Sequence, residues 1–300
     1  MAYSESQTRT WNRSTANDGL YWDTEFTRIY GNFNAIVDNG GSAPSRTMEE
    51  LNNEIVKIKL TTSSETSSFI IADGTGEDIY YCDPTTGSIT ATLPTLADNQ
   101  GRIITIYNSV GHATNIVTID GESTETINGV QTIELPKKDN YIRIVAISTE
   151  WKIISEQITC EWFAHTHAGY GTTGWTVIPY FSTVVKNYGN LFSVANNNTE
   201  GLTITINKSG IYSFTYTSTS DTGGNDIIGI SENTTQGTTS ISSINAADRR
   251  TEQQQTNVTA AFECGWSGWL EAGADIRPHN HAAFTPNTNK SSFSVAYLGN

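Results

Sequence analysis

The histidines are the residues whose type and spacing best suit metal chemistry. His165 and His167 are separated by one residue, as are His279 and His281. In an extended chain, residues i and i+2 point to the same face. Two imidazoles do not close a metal site, but three copies around a threefold axis would supply six. We therefore predict His165 and His167 as candidate ligands of a transition metal on such an axis. The alternative is a pair of solvated or hydrogen-bonded histidines, with no cofactor.

Motifs for catalysis are missing from the sequence. It contains no G-x-S-x-G elbow, no H-E-x-x-H helix motif and no Walker loop. Cys82, Cys160 and Cys264 are far apart and odd in number, so they predict reduced thiols rather than a disulfide framework. We expect the chain not to be an enzyme. A small polysaccharide depolymerase stays open as a minor alternative, because glycoside hydrolysis needs only two suitably placed carboxylates.

Composition limits the classes of partner. The 300 residues include 31 acidic and 17 basic side chains, which gives a net charge of −14. This charge argues against a nucleic-acid partner. No window approaches 18 apolar residues, so we expect no membrane insertion. The many Thr, Ser, Asn and Gly residues favour strands and turns over helices.

The first 45 residues are predicted to attach the chain to another protein. For residues 1–22 the alternative is an unstructured terminus, because so polar a segment cannot bury enough surface to fold alone. Asp23 is a candidate N-cap, and the residues after it follow the apolar spacing of one amphipathic helix, which needs a partner surface to be stable. The candidate anchors are Trp11, Trp22, Phe26, Ile29, Tyr30 and Phe33.

Residues 46–60 predict a short coiled coil. A T-x-x-E capping box at Thr47 precedes an apolar seam with steps of 3, 4 and 3. Isoleucine at both an a and a d position favours trimers or higher oligomers over dimers. The alternative is an ordinary helix packed on its own domain. The seam consists of Met48, Leu51, Ile55 and Ile58.

Period-two alternation predicts two β domains in the rest of the chain. Short strands separated by Asp-Gly and Asn-Gly turns indicate a small all-β domain at 61–158 and a second at 176–300. The histidine-containing segment 159–175 is predicted to be a collar linker between them. The fold class is therefore mainly β.

Two segments of the sequence carry a family resemblance. The middle block, with Ile89-Thr90-Ala91-Thr92-Leu93-Pro94 and Glu150-Trp151-Lys152-Ile153-Ile154, resembles a small β module of tailed-bacteriophage fibres and tailspikes. The C-terminal block resembles a C1q/TNF-type jelly roll through Gly210-Ile211-Tyr212-Ser213-Phe214 and Gly268-Trp269-Leu270-Glu271-Ala272-Gly273-Ala274-Asp275-Ile276. The turn Gly273-Ala274-Asp275 is one residue longer than that family's common Gly-Asp turn.

The resemblance implies a homotrimeric phage fibre. Its N-terminus would dock on tail or capsid proteins of the virion, the middle domain would be a shaft, and the jelly roll would bind a glycan or protein of the host surface. Such a protein is assembled in the host cytoplasm and resides in the virion. The alternative role is structural, as a capsid head fibre, a decoration protein or a collar fibre.

The receptor surface is expected on loops at the far end of the jelly roll, because loops on a rigid sandwich commonly bind ligands. The alternatives are a side groove between subunits, or solvated turns in which Arg249 or Arg250 forms interchain ion pairs with Asp248 or Glu252. Counting strands back from Ser292–Leu298 predicts one apical patch. Its residues are Asp221, Asn225, Asp248, Arg249, Arg250, His281, Phe284 and Asn287.

Overall fold

The computed structural model describes residues 60–174, 176–219, 225–232, 240–256, 261–281 and 290–299. These residues lie in one compact unit that begins at Lys59. Their regular structure is nineteen strands and one short 3-10 helix, Ile241–Ser243. The prediction of a mainly β protein is confirmed for this part of the chain. The predicted N-terminal helix and coiled-coil neck lie outside the described residues.

The middle domain contains the first nine strands. They are β1 (Leu60–Glu65), β2 (Phe69–Ile70), β3 (Glu77–Cys82), β4 (Ile89–Thr92), β5 (Ile103–Asn108), β6 (Val117–Asp120), β7 (Thr132–Leu135), β8 (Tyr141–Ala146) and β9 (Trp151–Gln157).

These nine strands form two sheets, and the chain alternates between them. The first sheet has the order β1-β3-β5-β8-β9 and the second has the order β2-β4-β6-β7. The pairs β1–β3, β3–β5, β2–β4 and β4–β6 are parallel. The first six strands are therefore three coils of a short β-solenoid, and β7, β8 and β9 close it with antiparallel pairs.

Alternating side chains from both sheets fill the core of the solenoid. Ile104, Ile106, Ile119, Ile133 and Ile142 are each fully buried. Branched aliphatic residues suit this position, since they pack well on a pleated surface with little loss of rotamer freedom. The regular alternation made these strands predictable from sequence.

A buried arginine anchors the loop between β2 and β3. Arg102 donates through Nε to Asp78 Oδ2 at 2.9 Å and through NH1 to the carbonyl of Ala72 at 2.6 Å. Asn99 Oδ1 accepts from the same guanidinium at 2.7 Å and from the backbone N–H of Gly74 at 3.0 Å. The network fixes the loop between β2 and β3 because its buried polar groups are hydrogen-bonded.

The C-terminal domain contains the other ten strands. They are β10 (Glu161–Tyr170), β11 (Pro179–Tyr188), β12 (Phe192–Asn197), β13 (Gly201–Ile206), β14 (Gly210–Thr219), β15 (Asn225–Glu232), β16 (Arg249–Thr256), β17 (Ala261–Leu270), β18 (Asp275–Asn280) and β19 (Ser292–Gly299).

Two five-stranded antiparallel sheets make up this domain. Their orders are β11-β10-β19-β14-β17 and β12-β13-β18-β15-β16. Strands that follow one another in the chain, such as β13 and β14 or β18 and β19, lie in different sheets. This alternation is the topology of a double-sheet jelly roll, so the predicted fold of the C-terminal domain is confirmed.

The predicted linker at 159–175 is wrong. Residues 161–170 form β10, which pairs with β11 on one side and β19 on the other. Trp162 and Ala164 point into the jelly-roll core, and both are buried. The segment was mistaken for a linker because its small and aromatic residues, with two β-bulges, interrupt the simple alternation.

The segment between β15 and β17 differs from the prediction at the apical loops. Residues 241–243 form the 3-10 helix, whose Ile241 covers the outer face of β15 near Gly229. Residues 249–256, which include Arg249 and Arg250 of the predicted apical loops, form β16 at the edge of the second sheet. The polar sequence Arg-Arg-Thr-Glu-Gln-Gln-Gln-Thr lacks alternation because an edge strand is open to solvent.

Candidate functional site

The jelly roll has two ends that differ in what they contact. We call the end with the turns 207–209, 245–248 and 271–274 the joint end, because Lys208 contacts Glu156 of the middle domain there. The opposite end, with turns 171–174 and 197–200 and the strand ends at Asn225 and Asn280, we call the distal end. The strand register defines the two ends, since Asn280 pairs with Ile228 and Ile276 pairs with Glu232.

The predicted apical patch is divided between these two ends. Arg249 pairs with Ser231, two positions from the row that contains Asp275, so Asp248, Arg249 and Arg250 lie at the joint end. The prediction that they are apical is therefore wrong. It failed because the polar strand β16 was counted as a loop, which reversed the direction of the chain at this point.

Both arginines of this group have intrachain partners. Arg249 NH1 lies 2.7 Å from Glu252 Oε2. Arg250 forms an ion pair with Glu232, and its guanidinium carbon lies 5.5 Å from the centre of the Trp266 ring. The two contacts of Arg250 tie β16 to β15 and β17, which fits a role in holding the edge of the sandwich.

His281 and Asn225 do lie at the distal end. The backbone N–H of His281 donates to the carbonyl of Ile227 at 2.8 Å, and its exposed imidazole hydrogen-bonds the Ser240 hydroxyl at 2.9 Å. Asn225 begins β15 opposite Thr256. The other predicted apical residues, Asp221, Phe284 and Asn287, lie outside the described residues.

A pair of adjoining turns extends the distal surface, and sequence analysis missed it. The N–H groups of Thr172 and Thr173 donate to the carbonyls of Asn198 and Thr199, at 3.0 and 3.1 Å. Asn197 Oδ1 accepts from the N–H groups of Thr199 and Glu200, both at 2.9 Å. The result is an exposed strip of hydroxyl, amide and carboxylate groups, of the kind that hydrogen-bonds sugars or polar peptides. The Asn-Asn-Asn-Thr run is the sequence feature that could have indicated a turn here.

A buried polar network supports the distal end from below. Asn280 Oδ1 accepts from the Tyr216 hydroxyl at 2.7 Å, and its Nδ2 donates to the Tyr170 hydroxyl at 2.6 Å. Asn280 is completely buried. Burial raises the pKa of Tyr216 well above its usual value. The network holds the end of β18 in one position, so the backbone of His281, the next residue, is held in place as well.

The predicted pairing of His165 with His167 on one face is wrong. Thr166 has a φ of 66° and sits in an irregular stretch of β10, which shifts the alternation by one residue. His167 is buried, and its ring centre lies 4.8 Å from that of Tyr170 and 6.3 Å from that of Phe181 in the core. His165 remains on the outer face beside Phe163. The two imidazoles therefore cannot both face a common axis.

Burial also changes the chemistry of His167. Desolvation lowers the pKa of its imidazole to about 4. Its Nδ1 accepts from the N–H of Gly169 at 3.2 Å, while its Nε2 has no hydrogen-bond partner among the described residues. No group of three or more His, Cys, Asp or Glu side chains suited to a metal occurs within this same part of the chain.

A second polar cluster joins the two domains. Lys208 and Glu156 form a buried ion pair, with Nζ to Oε1 and Oε2 distances of 3.1 and 3.4 Å. The Tyr297 hydroxyl hydrogen-bonds both groups. Burial lowers the pKa of Lys208, although the neighbouring Glu156 opposes that change. Burial raises the pKa of Tyr297, with Glu156 adding to the increase.

Further contacts reinforce this joint. Asn190 donates to the Thr132 carbonyl at 3.1 Å and accepts from the N–H of Glu134 at 3.2 Å. Lys137 Nζ lies 3.5 Å from the centre of the Tyr188 ring. Only three residues separate β9 from β10, so the covalent connection also restricts the movement of one domain relative to the other. The middle domain and the jelly roll are thereby held in a fixed relation.

The predicted neck and anchor residues stay predictions. Met48, Leu51, Ile55 and Ile58 lie outside the described residues, as do Trp11, Trp22, Phe26, Ile29, Tyr30 and Phe33. Among the described elements, no helix is long and apolar enough to span a membrane.

Comparisons with known proteins give matches among solved structures that each cover less than half of this chain. No family model matches the sequence, and no curated protein is significantly similar to it. Murine APRIL matches 46% of this chain and 99% of its own, with 10% identity and a TM-score of 0.33. GITRL from pika matches 47% and 97%, with 11% identity and a TM-score of 0.31.

Eiger TNF from S. frugiperda gives a third match of the same kind. It covers 47% of this chain and 94% of its own, with 12% identity and a TM-score of 0.30. Scores of this size carry no argument by themselves. The assignment of a jelly roll therefore rests on the strand order of its two sheets.

Proposed function

We propose that this chain is a homotrimeric fibre protein of a tailed-phage virion, with the middle domain as shaft and the jelly roll as receptor-binding head. The observation that carries the proposal is the rigid joint at Lys208 and Glu156. It fixes the jelly roll so that its distal end is the end away from the solenoid. Polar turns at the end of the jelly roll away from the solenoid suit attachment to a surface.

One face of the head supports self-association. On the sheet β11-β10-β19-β14-β17, most outward side chains of the neighbouring strands β14 and β19 are small and uncharged. At its joint end the same face carries Trp269 and Leu298, which are 51% and 60% exposed. A flat face of small residues lets another subunit approach closely, and apolar residues exposed to this degree favour contact. The small residues are Ser213, Thr215, Thr217, Ser292, Ser294 and Ala296.

Light scattering tests the oligomer directly. A trimer of 32.7 kDa chains has a mass of about 98 kDa. Ser294→Arg would place a long charged side chain at the centre of the face and should weaken association. Gln254→Arg, on exposed β16 of the other sheet, is the matched control. A 33 kDa species for the wild-type chain would contradict the proposal.

Competition for host adsorption tests the head. Purified protein should block adsorption of the phage that encodes it, because head and virion would share one receptor. His281→Ala combined with Asn198→Ala alters the distal end and should abolish the block. Arg250→Ala at the joint end should not. If the distal variant blocks as well as the wild type, the receptor surface lies elsewhere.

A structural role on the capsid or collar is the second candidate, because the same domains could decorate a particle without binding a receptor. Immunogold labelling of intact virions distinguishes tail from capsid or collar. The depolymerase alternative predicts new reducing ends when pure protein is incubated with host polysaccharide. The proposed fibre predicts none.

A further inference from the structure

The two outer faces of the middle domain differ in character. Apart from Ile70 on the edge strand β2, which is 78% exposed, the second sheet presents polar side chains to solvent; Thr90, Thr92, Thr118 and Asp120 alternate with buried aliphatic residues. Beside Glu77, Thr105 and Arg143, the first sheet presents several large apolar side chains in the same outward positions. They are Ile79, Tyr81, Ile103, Tyr107, Tyr141 and Val145. Apolar side chains that are grouped on one face favour contact with another surface over contact with water, so the first sheet is suited to being covered.

Three tyrosines make this apolar face continuous across strands. Tyr81 pairs with Tyr107, and Tyr107 pairs with Tyr141 in the ladder. The ring centres are 5.4 Å and 5.2 Å apart, with interplanar angles of 15° and 33°. Each ring covers the face of its neighbour, so the strip offers ring edges and hydroxyl groups rather than open ring faces. That geometry suits a flat protein surface better than stacking of a sugar.

Local charge favours another copy of this acidic chain as the occupant. Glu77 on the same face is paired with Arg143 at 2.9 Å, and the face also carries Lys152. The chain as a whole has a net charge of −14. Two copies repel each other least where their surfaces are close to neutral, and this face is such a surface.

The outward positions of β9 continue at even spacing into β10. Ser155 and Gln157 on β9 are followed by Glu161 and Phe163 on β10, while Glu156, Cys160 and Trp162 are turned inward. Residues 158–160, between the two strands, belong to neither of them.

We infer that the outer face of sheet β1-β3-β5-β8-β9 packs against a second copy of this chain, so that self-association extends along the middle domain. The inference rests on the proposed oligomer but concerns a separate surface. It makes Tyr81, which is 40% exposed in the single chain, an interface residue. Stacked tyrosines suit that position because aromatic residues are enriched where interfaces are most buried.

Photo-crosslinking of the full-length chain tests the inference position by position. The photoreactive p-benzoylphenylalanine replaces Tyr81 on the apolar face, Thr118 on the polar face, or Trp269 on the head face. Crosslinked chains are then counted by denaturing electrophoresis. We expect interchain products from positions 81 and 269 and none from position 118.

The three positions separate the two proposals. Products from 269 without products from 81 would overturn the inference and leave the oligomeric head intact. Equal products from 81 and 118 would also overturn it, since contact would then be unspecific. If neither 81 nor 269 gives products, both proposals fail.

A pair of substitutions provides an independent measurement. Tyr81→Asp places a charge in the tyrosine strip, and we expect it to accelerate subunit exchange between labelled oligomers by about tenfold or more. Thr118→Asp, the matched control, should change the exchange rate by less than about twofold. Equal rates for the two variants, with unchanged circular dichroism, would count against the interface.

Discussion

Lys208 Nζ lies 3.1 Å from Glu156 Oε1, and this ion pair connects the jelly roll to the middle domain. Lys208 is 1% exposed and the Glu156 side chain is 8% exposed. The Tyr297 hydroxyl completes the cluster by hydrogen-bonding both groups. Removing two charges from water costs free energy. The ion pair and its hydrogen bonds offset that cost only while every member of the cluster has its partners. The joint is therefore sensitive to the loss of any one member.

Lys208→Met tests this dependence. The methionine keeps most of the side-chain volume but leaves the Glu156 carboxylate buried without its cation. We expect a loss of about 3 to 5 kcal/mol in the free energy of unfolding, measured by urea denaturation. Hydrogen exchange should increase first near residues 156–160 and 207–209, because these segments meet at the joint.

An exposed ion pair provides the matched control for this variant. Lys186 lies 2.9 Å from Glu161, but its side chain is 47% exposed. Lys186→Met should therefore cost less than about 1 kcal/mol. Adding Glu156→Leu to Lys208→Met should recover part of the lost stability, since no charge then remains buried. Equal losses for the Lys208 and Lys186 variants would show that the joint does not depend on the buried pair.

His167 makes the stability of the jelly roll depend on pH. The folded pKa of about 4 lies below the ordinary value of 6.5, so folding favours the neutral imidazole. Its contribution is complete above pH 6.5 and is lost as the pH falls towards 4. The shift corresponds to about 3 kcal/mol between these limits.

His167→Gln should remove that part of the pH dependence while other groups keep theirs. Melting temperatures of the variant and the wild type, measured from pH 7.5 to 4, should converge at low pH. His281→Gln is the control, because that exposed imidazole lies at the surface. A wild-type profile that is flat between pH 6.5 and 4.5 would contradict the assignment.

Strand positions were largely predictable, whereas strand pairing was not. Ile89–Thr92 and Tyr141–Ala146 alternate strictly, so period two identified both of them. The parallel pairing of Tyr81 with Tyr107 joins residues separated by many positions and leaves no local signal. The solenoid coils therefore became visible only in the structure.

The candidate site shows the same limit. His281 lies at the distal end, directly after β18. Arg250 was misplaced because the polar edge strand β16 reads as a loop. The prediction that His165 and His167 share a face was wrong because of one residue, Thr166. No sequence pattern indicates its positive φ. Lys208 was missed because a single lysine between two strands looks like an ordinary turn residue.

The three cysteines should be inert in the folded protein. Cys82, Cys160 and Cys264 are buried, and burial raises the pKa of each thiol to about 12. Only the thiolate reacts readily with electrophiles, so iodoacetamide at pH 8 should label none of them in native protein. Mass spectrometry should find all three labelled after denaturation in guanidinium. Rapid native labelling of any one would show that its part of the core opens readily.

Two glycines with the same backbone conformation separate crowding from backbone strain. Gly201 has a φ of 83° and Gly273 a φ of 91°, so alanine at either position incurs the left-handed penalty of about 1 kcal/mol. At Gly201 an added Cβ would lie 2.5 Å from the carbonyl oxygen of Ile178, whereas at Gly273 it would meet nothing within 4 Å. Gly201 starts β13 against the turn that covers the distal end, so the clash cannot be relieved by moving a flexible side chain.

We expect Gly201→Ala to lower the free energy of unfolding by at least about 2 kcal/mol more than Gly273→Ala, measured by urea denaturation. Similar losses for the two variants would show that the segment around Ile178 moves aside easily, and the distal end would then be less rigid than its hydrogen bonds indicate.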